Sequence, residues 1–216
     1  MSITAEQLQR FCSTHDIRAW TLKPNTVGAF TYATNGHIAI RIPAADGHVF
    51  ECHSNLTESM VTKLDEYMSL DGVELGPLDL PPEPAWAACP RCHGTGKCRR
   101  CGECNGEGEL ECDLGHMHRC EDCDGRGQVE GERDPCMECE GSGRDYKGTP
   151  VLERSVLIGA VHFDWRYLSM IADLPGAEVG LGNAGGPLSE HRRLLFRFDG
   201  DGRGIVMPLN LNSECR

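Results

Sequence analysis

The sequence predicts an α+β fold, with helices and strands in two flanks around a cysteine-rich middle segment. Two observations indicate this class. Residues 1–83 and 148–216 carry both helical and strand-type patterns of apolar residues, whereas residues 84–147 carry neither. The chain has 216 residues, long enough for one medium domain or two small ones with a buried core.

The first flank contains two predicted helix starts. Thr4 and Gln7 form a capping-box pattern before an apolar helical face that includes Leu8. Asn55 and Glu58 repeat that pattern before a second apolar face. Both helices are therefore expected to pack one side against a core.

A strand is predicted between these helices. Ile38, Ile40 and Ile42 alternate with Ala39 and Arg41, and an Asn-Gly turn signal comes just before them. Because side chains of a strand point alternately to its two faces, this pattern predicts a half-buried strand that follows a hairpin turn.

The second flank continues in the same style. Residues 156–161 predict a strand, and Asp164 is a candidate N-cap for a helix that carries Tyr167, Leu168 and Ile171. Two further strands are predicted at residues 194–198 and 204–207, joined by an Asp-Gly-Asp-Gly turn.

The middle segment is built from a repeated cysteine motif. Ten of the 13 cysteines lie between residues 89 and 139, and the segment holds 11 glycines. The motif C-x-x-C-x-G-x-G occurs four times, at Cys89 and Cys92, Cys101 and Cys104, Cys120 and Cys123, and Cys136 and Cys139. With so few large apolar residues, the segment cannot build a hydrophobic core of its own.

This motif has the spacing of a metal-binding knuckle. Two intervening residues let both sulfurs face one ion, and the following glycines permit the positive φ values that turn backbone N–H groups toward the thiolates. Two knuckles complete one tetrahedral site of four sulfurs, so four knuckles predict two Zn²⁺ ions; iron shares this ligand preference. Structural zinc contributes roughly 10–16 kcal/mol in small finger peptides, enough to order a glycine-rich segment.

Composition and charge limit the cellular compartments and the classes of partner that we expect. The first ten residues lack the apolar run of a signal peptide, and no stretch reaches the length of a membrane span, so we expect a cytoplasmic chain with reduced cysteines and no membrane partner. The formal charge is −12, and two zinc ions on eight thiolates would take it to about −16. Bulk charge therefore disfavours a nucleic-acid partner.

The four repeats closely resemble the cysteine-rich zinc-finger domain of DnaJ-type co-chaperones, over residues 84–147. The resemblance implies a V-shaped β-hairpin module in which repeats one and four share one zinc and repeats two and three share the other. Carried onto this chain, the first site is Cys89, Cys92, Cys136 and Cys139. The second site is Cys101, Cys104, Cys120 and Cys123.

The chain also departs from that family. It contains no His-Pro-Asp tripeptide and no long glycine- and phenylalanine-rich tract before the repeats, so we expect no J domain. Four further residues are alternative ligands that the sequence leaves open: Cys98, Cys112, His116 and His118.

If the first and last repeats share an ion, the two ends of the module are adjacent. The module can then be an insertion in a surface loop, and the domain prediction is a body formed by residues 1–83 and 148–216, with the module at 84–147.

A second resemblance lies in the flanks. Residues 31–39, Thr-Tyr-Ala-Thr-Asn-Gly-His-Ile-Ala, are similar to a stretch of bacterial sliding-clamp (DNA polymerase III beta) domains, and so is the ending, with residues 167–168, 174–188, 194–196 and 205–209. The resemblance implies one clamp-like domain of two helices and short antiparallel sheets, so a ring around DNA would require oligomerisation.

The functional expectation is a non-enzymatic, zinc-binding interaction protein whose module presents its groove and edges to a protein partner or an unfolded client. The chain has no nucleophile elbow, His-Glu-x-x-His motif or phosphate loop, and closed four-sulfur sites leave no open position on the metal. The alternative is an accessory protein of DNA replication or repair with a clamp-like body, of phage or plasmid origin. Thiol–disulfide exchange at the C-x-x-C pairs is a minor third possibility.

Overall fold

The computed structural model describes residues 3–14, 16–44, 49–113, 115–182 and 192–211. The chain divides into two compact units, one formed by Met1–Pro84 with Arg154–Arg216 and the other by Ala85–Glu153. We call the first the body and the second the cysteine module. The mixture of strands and few helices confirms the α+β class.

The helices and strands of the body come from both ends of the chain. The N-terminal part contributes α1 (Ala5–Gln9), a 3-10 turn (Ala19–Thr21), β1 (Asn25–Val27), β2 (Phe30–Thr34), β3 (Ile38–Pro43), α2 (Glu58–Tyr67) and β4 (Gly76–Pro77). The C-terminal part contributes β10 (Ser155–Ile158), β11 (Val161–Asp164), α3 (Trp165–Ala172), β12 (Glu178–Gly182), β13 (Arg193–Phe198) and β14 (Gly202–Val206).

The body is organised around one antiparallel sheet of seven strands, in the order β1-β2-β3-β14-β13-β12-β4. The N-terminal and C-terminal parts of the body meet in the centre of this sheet, where β3 pairs with β14. Ile38 lies opposite Val206 there, and Ala39 lies opposite Ile205. This pairing makes the body discontinuous in sequence.

Helices cover both faces of the sheet. On one face α1 and α3 pack with Ile38, Ile40 and Ile42, all of which are buried. On the other face the partly buried apolar residues of α2 pack in a cluster with Ala39 and Leu195. Each fully buried aliphatic side chain of this kind stabilises the fold by roughly 1.5–3 kcal/mol.

The prediction of a half-buried strand was therefore wrong in one respect. The isoleucines of β3 do face a core, but Ala39 on the opposite face is also buried, because α2 lies on that side. The alternating residues of β3 therefore face two different cores, one on each side of the sheet, rather than one core and solvent. The hairpin turn before β3 is confirmed, with Gly36 at a φ of 90°.

Two of the predicted helix caps are confirmed and one is wrong. Thr4 and Gln7 form the expected capping box at α1, and Asp164 caps α3 by accepting the N–H of Arg166 at 3.0 Å. The second helix begins at Glu58 with Thr57 as its N-cap, and not at Asn55, because the Thr57 hydroxyl accepts the N–H of Met60.

The C-terminal strands also differ from the prediction at one place. Residues 156–161 do not form one strand but belong to the hairpin of β10 and β11, whose turn contains Gly159 at a φ of 61°. The strands at 194–198 and 204–207 correspond to β13 and β14, joined by the predicted turn. Residues 183–191, which contain part of the clamp resemblance, lie outside the described residues.

Polar contacts connect the helices of the body to their neighbours. Asp65 of α2 accepts hydrogen bonds from Arg41 of β3 at 2.7 Å and from the hydroxyl of Tyr32 of β2 at 3.0 Å. Arg154 pairs with the buried Asp164. No helix among the described residues is long and apolar enough to cross a membrane.

Candidate metal centres

The cysteine module consists of short strands between the four cysteine repeats. Its strands are β5 (Lys97–Arg100), β6 (Glu109–Glu111), β7 (Met117–Arg119), β8 (Gln128–Glu130) and β9 (Asp134–Pro135). Strand β5 pairs on one side with β8 and on the other with β9, and β6 pairs with β7 in a separate hairpin.

The strand pairing decides which repeats meet. Lys97 lies opposite Pro135, so the end of the first repeat comes beside the start of the fourth. At the other end of β5, Arg100 lies opposite Gln128, so the second repeat comes beside the third. Two sites are thereby built at opposite ends of one strand.

Each site brings together four buried cysteines. The sulfurs of Cys89, Cys92, Cys136 and Cys139 all lie within 4.8 Å of one another. The sulfurs of Cys101, Cys104, Cys120 and Cys123 form the second such group. These are the two sets of four that the resemblance implied.

The sulfur spacings fit a metal ion held by four thiolates. With zinc–sulfur bonds of about 2.3 Å, sulfurs at the corners of a tetrahedron lie about 3.8 Å apart. The structure places Cys92 and Cys139 at 3.7 Å, Cys101 and Cys120 at 3.8 Å, and Cys104 and Cys123 at 3.6 Å. A disulfide would need about 2.05 Å. The geometry thus fits two zinc sites per chain, with all eight thiolates as ligands.

Backbone hydrogen bonds join the paired repeats reciprocally. In the first site the N–H of Cys89 donates to the carbonyl of Gly143, and the N–H of Cys136 donates to the carbonyl of Gly96, both at 2.9 Å. The second site repeats this exchange from Cys101 to Gly127 at 2.9 Å and from Cys120 to Gly108 at 2.8 Å. The two sites therefore share one local architecture.

The second glycine of each repeat directs its N–H at a sulfur. The N–H groups of Gly96, Gly108, Gly127 and Gly143 each donate, at 3.2 Å, to the second cysteine of their own repeat. This agrees with the prediction made from the motif. Such hydrogen bonds stabilise the negative charge of a thiolate.

The same glycines are required because the paired repeats approach closely. A Cβ added at Gly96 would lie 2.2 Å from the carbonyl oxygen of Gly141, and the φ of Gly96 is 71°. Any larger residue would force the first and fourth repeats apart.

Thiol acidity differs within the sites. Burial alone would raise the pKa of Cys92, but the N–H of Gly96 and the neighbouring thiols lower it to about 7. The same balance, with Gly127 as donor, lowers the pKa of Cys123 to about 7. Burial is the largest cause of the opposite shift at Cys136, whose pKa is raised to about 11. Each site thus contains one thiol whose pKa lies below the ordinary value, and a metal ion that binds there would displace the remaining thiol protons.

The alternative ligands have different positions. Cys98 is fully buried beside the first group, whereas Cys112 is partly buried and His116 and His118 are exposed. None of them belongs to either four-cysteine group found among the described residues. Cys12 is buried in the body, where burial raises the pKa of its thiol to about 12.

One structural position was missed by the sequence reasoning. The residue between the second cysteine and the first glycine has a left-handed φ, between 50° and 55°, in every repeat: His93, Asn105, Asp124 and Glu140. Asn and Asp tolerate this conformation best among residues with side chains. The presence of Asn or Asp at this position in two of the four repeats was the sequence signal that could have predicted the left-handed conformation.

The fold and the two sites are consistent with a zinc-finger module carried by an α+β body. Comparisons of the chain with protein-family models, with curated proteins and with solved structures found no match. The resemblances to the DnaJ-type module and to the clamp domain therefore rest on the sequence motifs alone.

Native mass spectrometry should find two zinc ions per chain. Cys92→Ser removes one thiolate from the first site and should leave about one tightly bound ion, while Cys52→Ser, an exposed cysteine of the body, should leave both. Two tightly bound ions in the Cys92→Ser protein would show that another residue, such as Cys98, completes the site.

Gly96→Ala should weaken the first site alone. The added methyl group collides with the carbonyl of Gly141, so we expect one of the two ions to transfer to a chelator at least about tenfold more readily. Gly102→Ala is the matched control, because a Cβ there meets nothing within 4 Å. Equal zinc retention by the two variants would contradict the steric argument.

Proposed function

We propose that the protein is a non-enzymatic interaction protein, chaperone-like or adaptor-like, that uses a zinc-stabilised DnaJ-type module without a J domain. One observation carries the proposal. Among the described residues of the module, both buried hydrophobic clusters are made of cysteines, and most residues of its short strands are exposed.

The closed sites favour binding over catalysis. A catalytic zinc usually keeps a position open for water or substrate, whereas four thiolates fill all positions of a tetrahedral ion. The eight clustered cysteines are at most 3 % exposed, so a reactant has little access to the sulfurs.

The hairpin of β6 and β7 is the surface best suited to a protein partner. All six of its strand residues are exposed, including Leu110 at 39 % and Met117 at 54 %. The sheet has only two strands among the described residues, so each has an open edge that an extended peptide can join by backbone hydrogen bonds. The flexible side chain of Met117 can adapt to different partners.

The double variant Leu110→Ser with Met117→Ser should lose most of the ability of the zinc-loaded protein to suppress aggregation of a reduced, unfolded reference protein, measured by light scattering. The two substitutions remove apolar surface that a client would contact. The fold of the module should be retained, because both side chains are exposed. Leu157→Ser, at an equally exposed position of the body, is the control.

The proposal fails if the unchanged protein has no effect on aggregation and an affinity pull-down recovers the same partners with and without residues 85–153. It also fails if Leu157→Ser is as damaging as the double variant.

A clamp-like DNA accessory is a second candidate, supported by the order of elements in the body. A helix followed by a three-stranded meander occurs twice, as α1 with β1-β2-β3 and as α3 with β12-β13-β14. The two meanders join through β3 and β14, and both helices lie in the same core cluster. This repeated order agrees with the two helices and antiparallel sheets of the clamp resemblance, while α2, β4 and the β10–β11 hairpin lie outside it.

Fluorescence anisotropy with duplex and single-stranded DNA over a salt series tests this candidate. A protein that contacts about three phosphates loses roughly fortyfold in affinity between about 50 and about 200 mM salt. If the body binds DNA, Arg192→Glu should weaken binding, and Arg126→Glu in the cysteine module should not. Arg193 is unsuitable, because it is 5 % exposed and covers the ring of Tyr67. No binding of either DNA would eliminate the candidate.

A further inference from the structure

An open cleft in the cysteine module is lined by three arginines. Its volume is about 550 Å³, and its walls are formed by Arg99 and Arg100 of β5 together with Glu132, Arg133 and Asp134. This volume lies within the range of ligand-binding clefts in proteins.

The guanidinium groups of these arginines are available to bind a ligand. Within the described part of the chain, Arg99, Arg100 and Arg133 form no ion pair, and the one side-chain hydrogen bond among them joins Arg99 Nε to the carbonyl of Glu130 at 3.1 Å. The cleft thus has three basic and two acidic lining residues and a net positive charge, although the module as a whole has nine basic and fifteen acidic residues.

Two of the arginine stems are held in place by glycines. A Cβ at Gly106 would lie 2.7 Å from Cγ of Arg100, and one at Gly131 would lie 2.7 Å from Cβ of Arg99. Because the stems lie flat against the backbone, less side-chain freedom is lost when a ligand binds.

The internal repeat provides a comparison for Arg100. Arg119 has the corresponding position before the third repeat and lies in the same way over Gly125. There, however, the guanidinium pairs with Asp124 at 2.7 Å. The second repeat has Asn105 in place of that aspartate, with nearly the same backbone φ. One neutral residue therefore leaves Arg100 without the partner that its counterpart has.

We propose that this cleft binds a short acidic segment of a protein partner through its carboxylates. Guanidinium groups match carboxylates in a two-pronged geometry, and three of them in one cleft favour a segment with two or more carboxylates. The inference rests on the proposed function, since it names the chemistry of the partner.

Nucleic acid is the less suitable ligand. Outside the cleft the module carries six basic and thirteen acidic residues, a net negative charge even before its thiolates are counted. A long polyanion would meet this charge beyond the cleft, whereas a short acidic segment would end within it.

The test uses the zinc-loaded full chain and a blocked, fluorescent tetraglutamate peptide, with a tetraglutamine peptide as the ligand control. We expect binding of the glutamate peptide that weakens with salt, and no binding of the glutamine peptide. Asn105→Asp should reduce the affinity about fivefold, because it gives Arg100 an internal carboxylate as in the third repeat. The third repeat tolerates aspartate there, so folding and zinc content should be unchanged.

Arg119→Gln is the matched control, because Arg119 is already paired, and it should not alter the affinity. The proposal is overturned if the glutamate peptide does not bind, if Asn105→Asp binds as tightly as the unchanged protein, or if Arg119→Gln weakens binding equally. Tighter binding of a thymidine oligonucleotide than of the peptide would also overturn it, in favour of a nucleic-acid site.

The aggregation assay separates this inference from the proposed function. If the unchanged protein suppresses aggregation but does not bind the glutamate peptide, only the acidic-segment inference fails. If it does neither, and the pull-down recovers the same partners with and without residues 85–153, both fail.

Discussion

The sharing of one ion by cysteines that are distant in the sequence is the constraint on which the cysteine module depends. Its buried clusters consist of cysteines, with Val129 packed against one of them. Metal–thiolate bonds thus replace the apolar burial that orders most domains of this size. The cost is a strict local geometry, because two sulfurs and two glycines must occupy fixed positions in each repeat, and this is why the motif recurs with so little variation.

The residues between the fixed positions are free to differ, and they give the module its surface. Asn105 and Asp124 follow corresponding cysteines with nearly the same backbone conformation. Asp124 pairs with Arg119, whereas Asn105 leaves Arg100 without an ion pair among the residues that the structure describes. A repeated framework can in this way present distinct chemistry at each repeat. The framework is constrained by the metal, and the surface charges are set by single side chains.

The body is stabilised in the usual way, by apolar burial on both faces of an antiparallel sheet. Its central pairing of β3 with β14 joins residues more than 150 positions apart, with the whole module between them in sequence. The ordering of the body therefore requires long-range contacts, whereas each knuckle of the module forms from eight consecutive residues. Two different physical solutions, metal–thiolate bonds that join short knuckles and apolar burial across a sheet, are combined in one chain.

The sequence by itself determined the features that depend on neighbouring residues: the α+β class, the knuckles, the capping box at Thr4, the cap at Asp164 and the turn before β3. The prediction from sequence was wrong where two neighbouring residues could each be the N-cap, as with Thr57 and Asn55. It was also wrong at Gly159, where a short apolar run was read as one strand although it contains a turn. Only the tertiary structure decided that Ala39 is buried, that the arginines of β5 share a cleft with Arg133, and that β5 carries a site at each end. The physical reason is that the spacing of residues along the chain specifies which atoms a single turn can direct at a metal ion or at the end of a helix. The burial of a residue and the clustering of charges depend instead on strands and helices that are distant in the chain.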